Sequence, residues 1–150
     1  MDDFRVLVVD DEDDFRATFV KRLEKRNLSV TDAENGEKAM EILEEKLFDV
    51  VILDVKMPGM DGIETLREMK RKRPLMEVIM LTGHATVESG VEGMKLGAFD
   101  YIMKPVEIDE LMQKMAGAYE KKKAHEEKIR EARVLEMTAH PGRGVKIEEL

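Results

Sequence analysis

The chain has 150 residues, 43% hydrophobic and 39% charged, with ten Gly, four Pro, no Cys and a formal charge of −8. That length fits one domain with a substantial core, and the composition is too apolar for a disordered chain and too poor in Gly and Pro for a low-complexity one. The absence of Cys excludes disulfides, thiolate zinc sites, iron–sulfur clusters and Cys nucleophiles, while the negative charge argues against nonspecific binding of nucleic acid or an anionic membrane.

Met1 is followed by Asp2 and Asp3, where a secretory signal would carry positive charge. No apolar run approaches the roughly 20 residues that cross a membrane, so a cytoplasmic protein is expected. The first apolar run, Val6–Val9, ends in Asp10-Asp11-Glu12, and residues 13–26 then place Phe15, Phe19, Val20 and Leu23 at helical spacing. A second run, Leu28–Val30, leads into Thr31-Asp32-Ala33, and residues 36–47 repeat the helical pattern with Ala39, Met40, Leu43 and Leu47. Val50–Leu53 ends in Asp54, followed by the turn Met57-Pro58-Gly59-Met60-Asp61-Gly62 and a helical pattern over 62–72 with Ile63, Leu66 and Met69. Val78–Leu81 ends in Thr82-Gly83, and residues 86–96 carry Val87, Val91 and Met94, with Gly97 where a helix C-cap glycine belongs. The fifth run, Tyr101–Met103, ends in Lys104-Pro105.

From about Glu107 a last helical pattern begins with Ile108, Leu111, Met112, Met115, Ala118 and Tyr119, then turns into Lys121-Lys122-Lys123-Ala124-His125-Glu126-Glu127-Lys128. Helix-favouring residues persist to about Met137, which predicts a helix roughly 45 Å long that projects beyond the body. His140-Pro141-Gly142-Arg143-Gly144 then breaks it, and a frayed tail is expected. Short continuous apolar runs alternating with amphipathic helices imply βαβ crossovers and a doubly wound parallel sheet with helices on both faces. Residues 1–120 read as the domain, and 121–150 as a charged helical extension with no domain of its own. That extension holds eight Lys/Arg and six Glu, which leaves −10 on residues 1–120. The Lys121–Lys123 run reads as a solvated face; three adjacent Lys without aromatic interleaving do not point to nucleic acid.

In open parallel sheets, ligands bind at the carboxyl ends of the strands. Asp10, Asp11, Asp54, Thr82 and Lys104 would converge there. A lone Asp pair often just caps a helix, Asp54 alone would be an ordinary turn residue, and Thr82 alone a helix-entry residue. Together, however, they make a dense acidic cluster whose repulsion a cation would relieve, and carboxylates with a backbone carbonyl suit Mg²⁺ rather than zinc. A carboxylate can also attack phosphorus to give an aspartyl phosphate, and Lys104 and Thr82 could neutralise and hydrogen-bond the transferred group. Asp61 reads as structural, since Asp-Gly is a common turn pair.

Over residues 4–120 the chain resembles the receiver domain of bacterial two-component response regulators. The resemblance rests on Val8-Val9-Asp10-Asp11-Glu12, Leu53 to Gly62, Leu81-Thr82-Gly83-His84 and Ala98 to Pro105. From Thr82 to Pro105 it is most like receivers that precede enhancer-binding transcription activators. It implies a flavodoxin-like (βα)5 fold with strand order 2-1-3-4-5 and an extended C-terminal helix. It also implies that Asp54 accepts a phosphoryl group from a sensor histidine kinase or phosphotransfer protein, and that Mg²⁺ sits on Asp10, Asp11, Asp54 and the backbone carbonyl of Lys56. Lys104 would pair with the phosphoryl group, Thr82 would move to hydrogen-bond it, and Tyr101 would turn inward. Lys104-Pro105 would be a cis peptide. Lys56 and His84 would tune how long the phosphoryl group survives.

The resemblance implies a cytoplasmic signalling switch rather than a metabolic enzyme, and homodimerisation through the Tyr101 face and the last helix is compatible with it. The twelve Met read mostly as core filler, with Met94, Met103, Met112 and Met115 near the output face. A competing reading is a Mg²⁺-dependent phosphohydrolase with an aspartyl nucleophile. That chemistry wants a second Asp two residues beyond the nucleophile, where this chain has Lys56, and a cap domain for which the sequence has no room.

Overall fold

A computed structural model describes residues 4–55, 61–83 and 92–139. Five strands, β1 (Arg5–Val9), β2 (Ser29–Ala33), β3 (Val50–Asp54), β4 (Glu77–Thr82) and β5 (Asp100–Met103), are interleaved with α1 (Asp13–Glu24), α2 (Gly36–Glu45) and α3 (Gly62–Lys72). A long helix, α4 (Ile108–Ala139), follows β5. All strand pairs are parallel, in the order β2-β1-β3-β4-β5, as expected. The helix predicted over 86–96 is described from Glu92 onward, where one helical turn ends in a Schellman motif. The Gly97 N–H donates to the Met94 carbonyl (3.2 Å) and the Ala98 N–H to the Gly93 carbonyl (3.0 Å). Gly97 takes the positive φ of 101° that this motif requires. The break predicted at His140 lies outside the described residues.

Burial explains the continuous apolar runs. Every residue of β3 and β4 is buried, as are Val6–Val9 of β1, because helices cover both faces of a parallel sheet. Successive side chains point to opposite faces. Val6, Val8, Ile52, Ile79 and Leu81 pack with Phe19, Leu23, Leu111, Met115 and Ala118 of α1 and α4. Leu7, Val9, Val51, Leu53 and Met80 pack with Ala39, Leu43, Leu66 and Met69 of α2 and α3.

At the amino-terminal edge of the sheet, opposite the end where Asp10 and Asp54 lie, two acidic residues are buried, Asp49 and Glu77. Asp49 accepts a hydrogen bond from the Arg5 N–H (2.8 Å) and pairs with Lys122 Nζ (3.2 Å). Glu77 lies 3.6 Å from Lys121 Nζ and 4.0 Å from Lys70 Nζ. Burial lowers the Lys70 pKa; the field of Glu77 opposes that and the field of Lys121 adds to it. Lys122 therefore departs from the solvated face predicted for the run, while Lys121 stays exposed on it with its ammonium turned towards Glu77: α4 passes the sheet edge where the two carboxylates lie, and the lysines dock it there. Lys123 lies over the Tyr119 ring, 5.0 Å from its centroid, and Tyr119 packs against Phe4. Among the described residues no helix is long and apolar enough to cross a membrane.

Asp49→Ala would strand the Arg5 N–H and leave Lys122 without its buried counter-charge. Equilibrium unfolding in urea is expected to show a loss of about 1–3 kcal/mol with an unchanged denaturant slope. A wild-type midpoint would remove the docking role of this edge.

Candidate functional site

The ladder of the sheet continues into the residues just beyond the strands. The Asp10 N–H donates to the Ala33 carbonyl (3.1 Å), the Val55 N–H to the Leu81 carbonyl (3.0 Å) and the Lys104 N–H to the Thr82 carbonyl (2.8 Å). These bonds fix Asp10, Asp54, Thr82 and Lys104 along one carboxyl edge, beside the point where the chain leaves β1 for β2 on one side and β3 on the other. Asp10, Asp54 and Thr82 are all buried.

Lys104 is the electrostatic centre of this edge. Its Nζ lies 2.9 Å from Asp10 Oδ2, 2.8 Å from Glu12 Oε1 and 3.8 Å from Asp54 Oδ2. Burial alone would lower its pKa, but the hydrogen bond to Glu12 and the close carboxylates of Asp10 and Asp54 outweigh that and raise it. The ammonium therefore stays charged through neutral pH. The other oxygen of Asp10, Oδ1, accepts the Glu12 N–H (2.8 Å); the N-cap of α1 is Glu12 rather than Asp10 or Asp11, so Asp10 shapes the turn into the helix from its place in the cluster without capping it. Among the described residues, Asp10, Glu12 and Asp54 bring one oxygen each within 4.8 Å of one another. An all-carboxylate donor set of this kind suits a hard divalent cation such as Mg²⁺.

Two supports hold the cluster. Arg16 of α1 donates from Nη1 to the Asp10 carbonyl (2.7 Å), from Nε to Asp32 Oδ2 (2.8 Å) and from Nη2 to Asp13 Oδ1 (2.8 Å). Burial works against its charge, yet the bonds to Asp32 and Asp13 leave the guanidinium pKa raised. The second support is the entry to α3. Asp61 caps that helix, its Oδ1 accepting the Glu64 N–H (2.8 Å), and the Gly62 N–H donates to the Val55 carbonyl (3.0 Å). A Cβ on Gly62 would stand 2.5 Å from Val55 Cα and would also collide with the Asp54 carbonyl oxygen.

Of the residues expected at the site, Asp10, Asp54, Thr82 and Lys104 lie along this edge. Asp11 is exposed and is not one of the three clustered carboxylates, where Glu12 stands instead. Lys56 and His84 fall outside the described residues. Lys104–Pro105 is cis. Tyr101 and Met103 are exposed on the edge strand β5, at 42% and 51%. Sequence reasoning did not single out Phe15, Arg16 or Gly62. Arg16 carried one legible signal, its spacing of three residues from Asp13, whereas its reach to Asp32 depends on the pairing of β1 with β2.

Comparison with known proteins points the same way. A family model described as the response regulator receiver domain matches residues 6–116. The chain is 40% identical over 105 residues to the DNA-binding transcriptional regulator NtrC of Escherichia coli (strain K12), covering 70% of this chain and 22% of that protein. It is 40% identical over 126 residues to a putative response regulator NtrX-like of Rickettsia bellii, covering 83% of this chain and 26% of that protein. The chain thus spans about a quarter of the length of these curated relatives. Among solved structures, a CheY-like response regulator receiver domain protein from Methanospirillum hungatei JF-1 superposes with a TM-score of 0.78. It is 31% identical, over 82% of this chain and 98% of that one.

Gly62→Ala forces the Asp54–Val55 backbone to shift. Overpacking of this kind is expected to cost about 1–3 kcal/mol, and to lower the thermal midpoint by several degrees. An unchanged midpoint, measured by circular dichroism, would show that the loop absorbs the methyl without strain.

Proposed function

The chain belongs to the response regulator receiver domain family, and from that premise we propose that it is a two-component signalling switch thrown by phosphorylation of Asp54. The observation that carries this reading is the Lys104 ammonium, 3.8 Å from Asp54 Oδ2 inside a buried acidic edge. An oxygen of Asp54 attacks the phosphorus of a phosphohistidine on a sensor histidine kinase or phosphotransfer protein. The P–N bond breaks, its electron pair stays on the imidazole nitrogen, and an aspartyl phosphate forms. Lys104 shifts from Asp10 and Glu12 towards the new phosphoryl oxygens, and Thr82 supplies a hydroxyl to them. Hydrolysis reverses the state: water attacks phosphorus, the bond to Asp54 breaks, and inorganic phosphate leaves. The chain's own chemistry is confined to gaining and losing this group.

The candidate cation is Mg²⁺, which the family resemblance would place on Asp10, Asp11, Asp54 and the backbone carbonyl of Lys56; Asp10 and Asp54 stand in the cluster, with Glu12 rather than Asp11 as its third carboxylate. When bound, it would relieve carboxylate repulsion and offer coordination to phosphoryl oxygens. The phosphoryl group adds roughly −1.5 to −2 charges and three acceptors, enough to bias a two-state loop. Tyr101 turns inward as Thr82 moves, altering the surface shared by the turn at Glu92–Lys95, β5 and α4. That surface and α4 are the candidate face for a phosphorylation-dependent homodimer. We assign residues 1–120 to the receiver and 121–150 to a charged extension, helical as far as Ala139, with no domain of its own, and no direct nucleic-acid or membrane contact to either.

Intact mass after incubation with Mg²⁺ and acetyl phosphate is expected to rise by one phosphoryl group, and to stay unchanged without Mg²⁺ or in Asp54→Asn. No gain in the wild type, with steady release of phosphate from added monoesters, would replace the switch by a phosphohydrolase. Lys104 and the cation share the same carboxylates, so Lys104→Met is expected to tighten Mg²⁺ binding about tenfold by calorimetry. Unchanged affinity would separate the ammonium from the metal site.

A further inference from the structure

Phe15 has no part in the chemistry above, yet it touches the charged centre of the site. Lys104 Nζ stands 4.2 Å from the centroid of the Phe15 ring. The ring is stacked on Phe19, with centroids 5.4 Å apart and planes inclined by 19°. Phe19 is 1% exposed in the core between the sheet and the α1–α4 layer. The orientation of the ring is thus set by packing, one residue removed from the core. A cation over an aromatic face is attracted by the ring quadrupole, more strongly where water is excluded, and the Lys104 side chain is only 15% exposed.

We propose that Phe15 is a positioning residue for phosphoryl transfer, its ring holding the Lys104 ammonium where it reaches both its resting partners, Asp10 and Glu12, and the acceptor Asp54. The two ion pairs at 2.9 and 2.8 Å draw the ammonium towards β1 and away from Asp54 at 3.8 Å. Those pairs weaken whenever a divalent cation or a phosphoryl group engages the same carboxylates. The ring is neutral and does not compete for the cation, so its hold persists through that exchange. Phe15 thereby spares the ammonium a search at the moment charge builds on the phosphoryl oxygens. This role rests on the reading of Asp54 as phosphoacceptor.

Two ring-altered variants test it. Phe15→Leu keeps apolar bulk but has no π face, whereas Phe15→Tyr keeps the ring. In the unphosphorylated wild type, the Lys104 ε-methylene protons are expected to show an upfield ring-current shift by NMR. That shift should vanish in Phe15→Leu and persist in Phe15→Tyr. With acetyl phosphate and Mg²⁺, Phe15→Leu is expected to gain the phosphoryl group about fivefold more slowly by intact mass, within the range of a partly desolvated cation–π contact, with Phe15→Tyr near the wild-type rate. Should Phe15→Leu fail to fold, Phe15→Met, also ring-free, takes its place. Equal rates in the ring-free and wild-type proteins, or a Phe15→Tyr variant as slow as the ring-free one, overturn the proposal and leave Asp54 as acceptor. No phosphoryl gain in the wild type overturns the acceptor reading itself, and the role of Phe15 falls with it.

Discussion

One ammonium, Lys104 Nζ, lies within 4 Å of three carboxylates, and the carboxyl edge of the sheet is organised around it. Asp10 is fully buried, and an ionised carboxylate removed from water without a counter-charge is costly. Lys104 supplies that charge across the sheet, from the end of β5 to the end of β1. Glu12, at the mouth of the cluster, shares the ammonium without needing it, since its carboxylate is 64% exposed. The arrangement is stable and also incomplete: three negative charges face one positive one, so a divalent cation has somewhere to go.

The parallel ladder makes this cluster reproducible. Adjacent strands end in step, with Val9 beside Leu53, Asp54 beside Leu81 and Thr82 beside Met103. Because the ladder extends past the strand ends, the chemical groups inherit the rigidity of a sheet buried on both faces. Arg16 extends the same logic sideways, tying the Asp10 carbonyl to Asp32 at the end of the edge strand β2. Gly62 closes the other flank by letting the start of α3 lie directly on the Asp54–Val55 backbone.

The sequence made most of the frame legible because central strands of a doubly covered sheet must be continuously apolar, and Val6–Val9, Val50–Leu53 and Val78–Leu81 are. Edge strands carry less of that signal. In β2 the apolar run stops at Val30, but pairing with β1 continues through Thr31 and Asp32 to Ala33, since exposed polar residues are tolerated where one side has no neighbour. Asp10, Asp54, Thr82 and Lys104 could be found because each directly follows an apolar run in the sequence. Phe15 and Gly62 could not, because a ring at helical spacing reads as core and an Asp-Gly pair reads as a turn. Their positions beside the ammonium and the Asp54 backbone appear only once strands distant in sequence are laid side by side. The buried Asp49 and Glu77 were hidden for a related reason: their partners lie on helices as far away as residue 122.

The pairing of Lys121 and Lys122 with those two carboxylates gives α4 an anchor. The helix is one unbroken element from Ile108 to Ala139, gripped near its middle at the edge of the sheet remote from Asp54. At 1.5 Å per residue, roughly 21 Å of helix lies on the Ile108 side of Lys122 and roughly 26 Å on the Ala139 side. The two arms are not alike: the Ile108 side is seated in the core through Leu111, Met115 and Ala118, whereas the Ala139 side extends as a rigid rod. A displacement of the seated half, made together with the core it packs on, is carried by the helix itself to the far end of that rod.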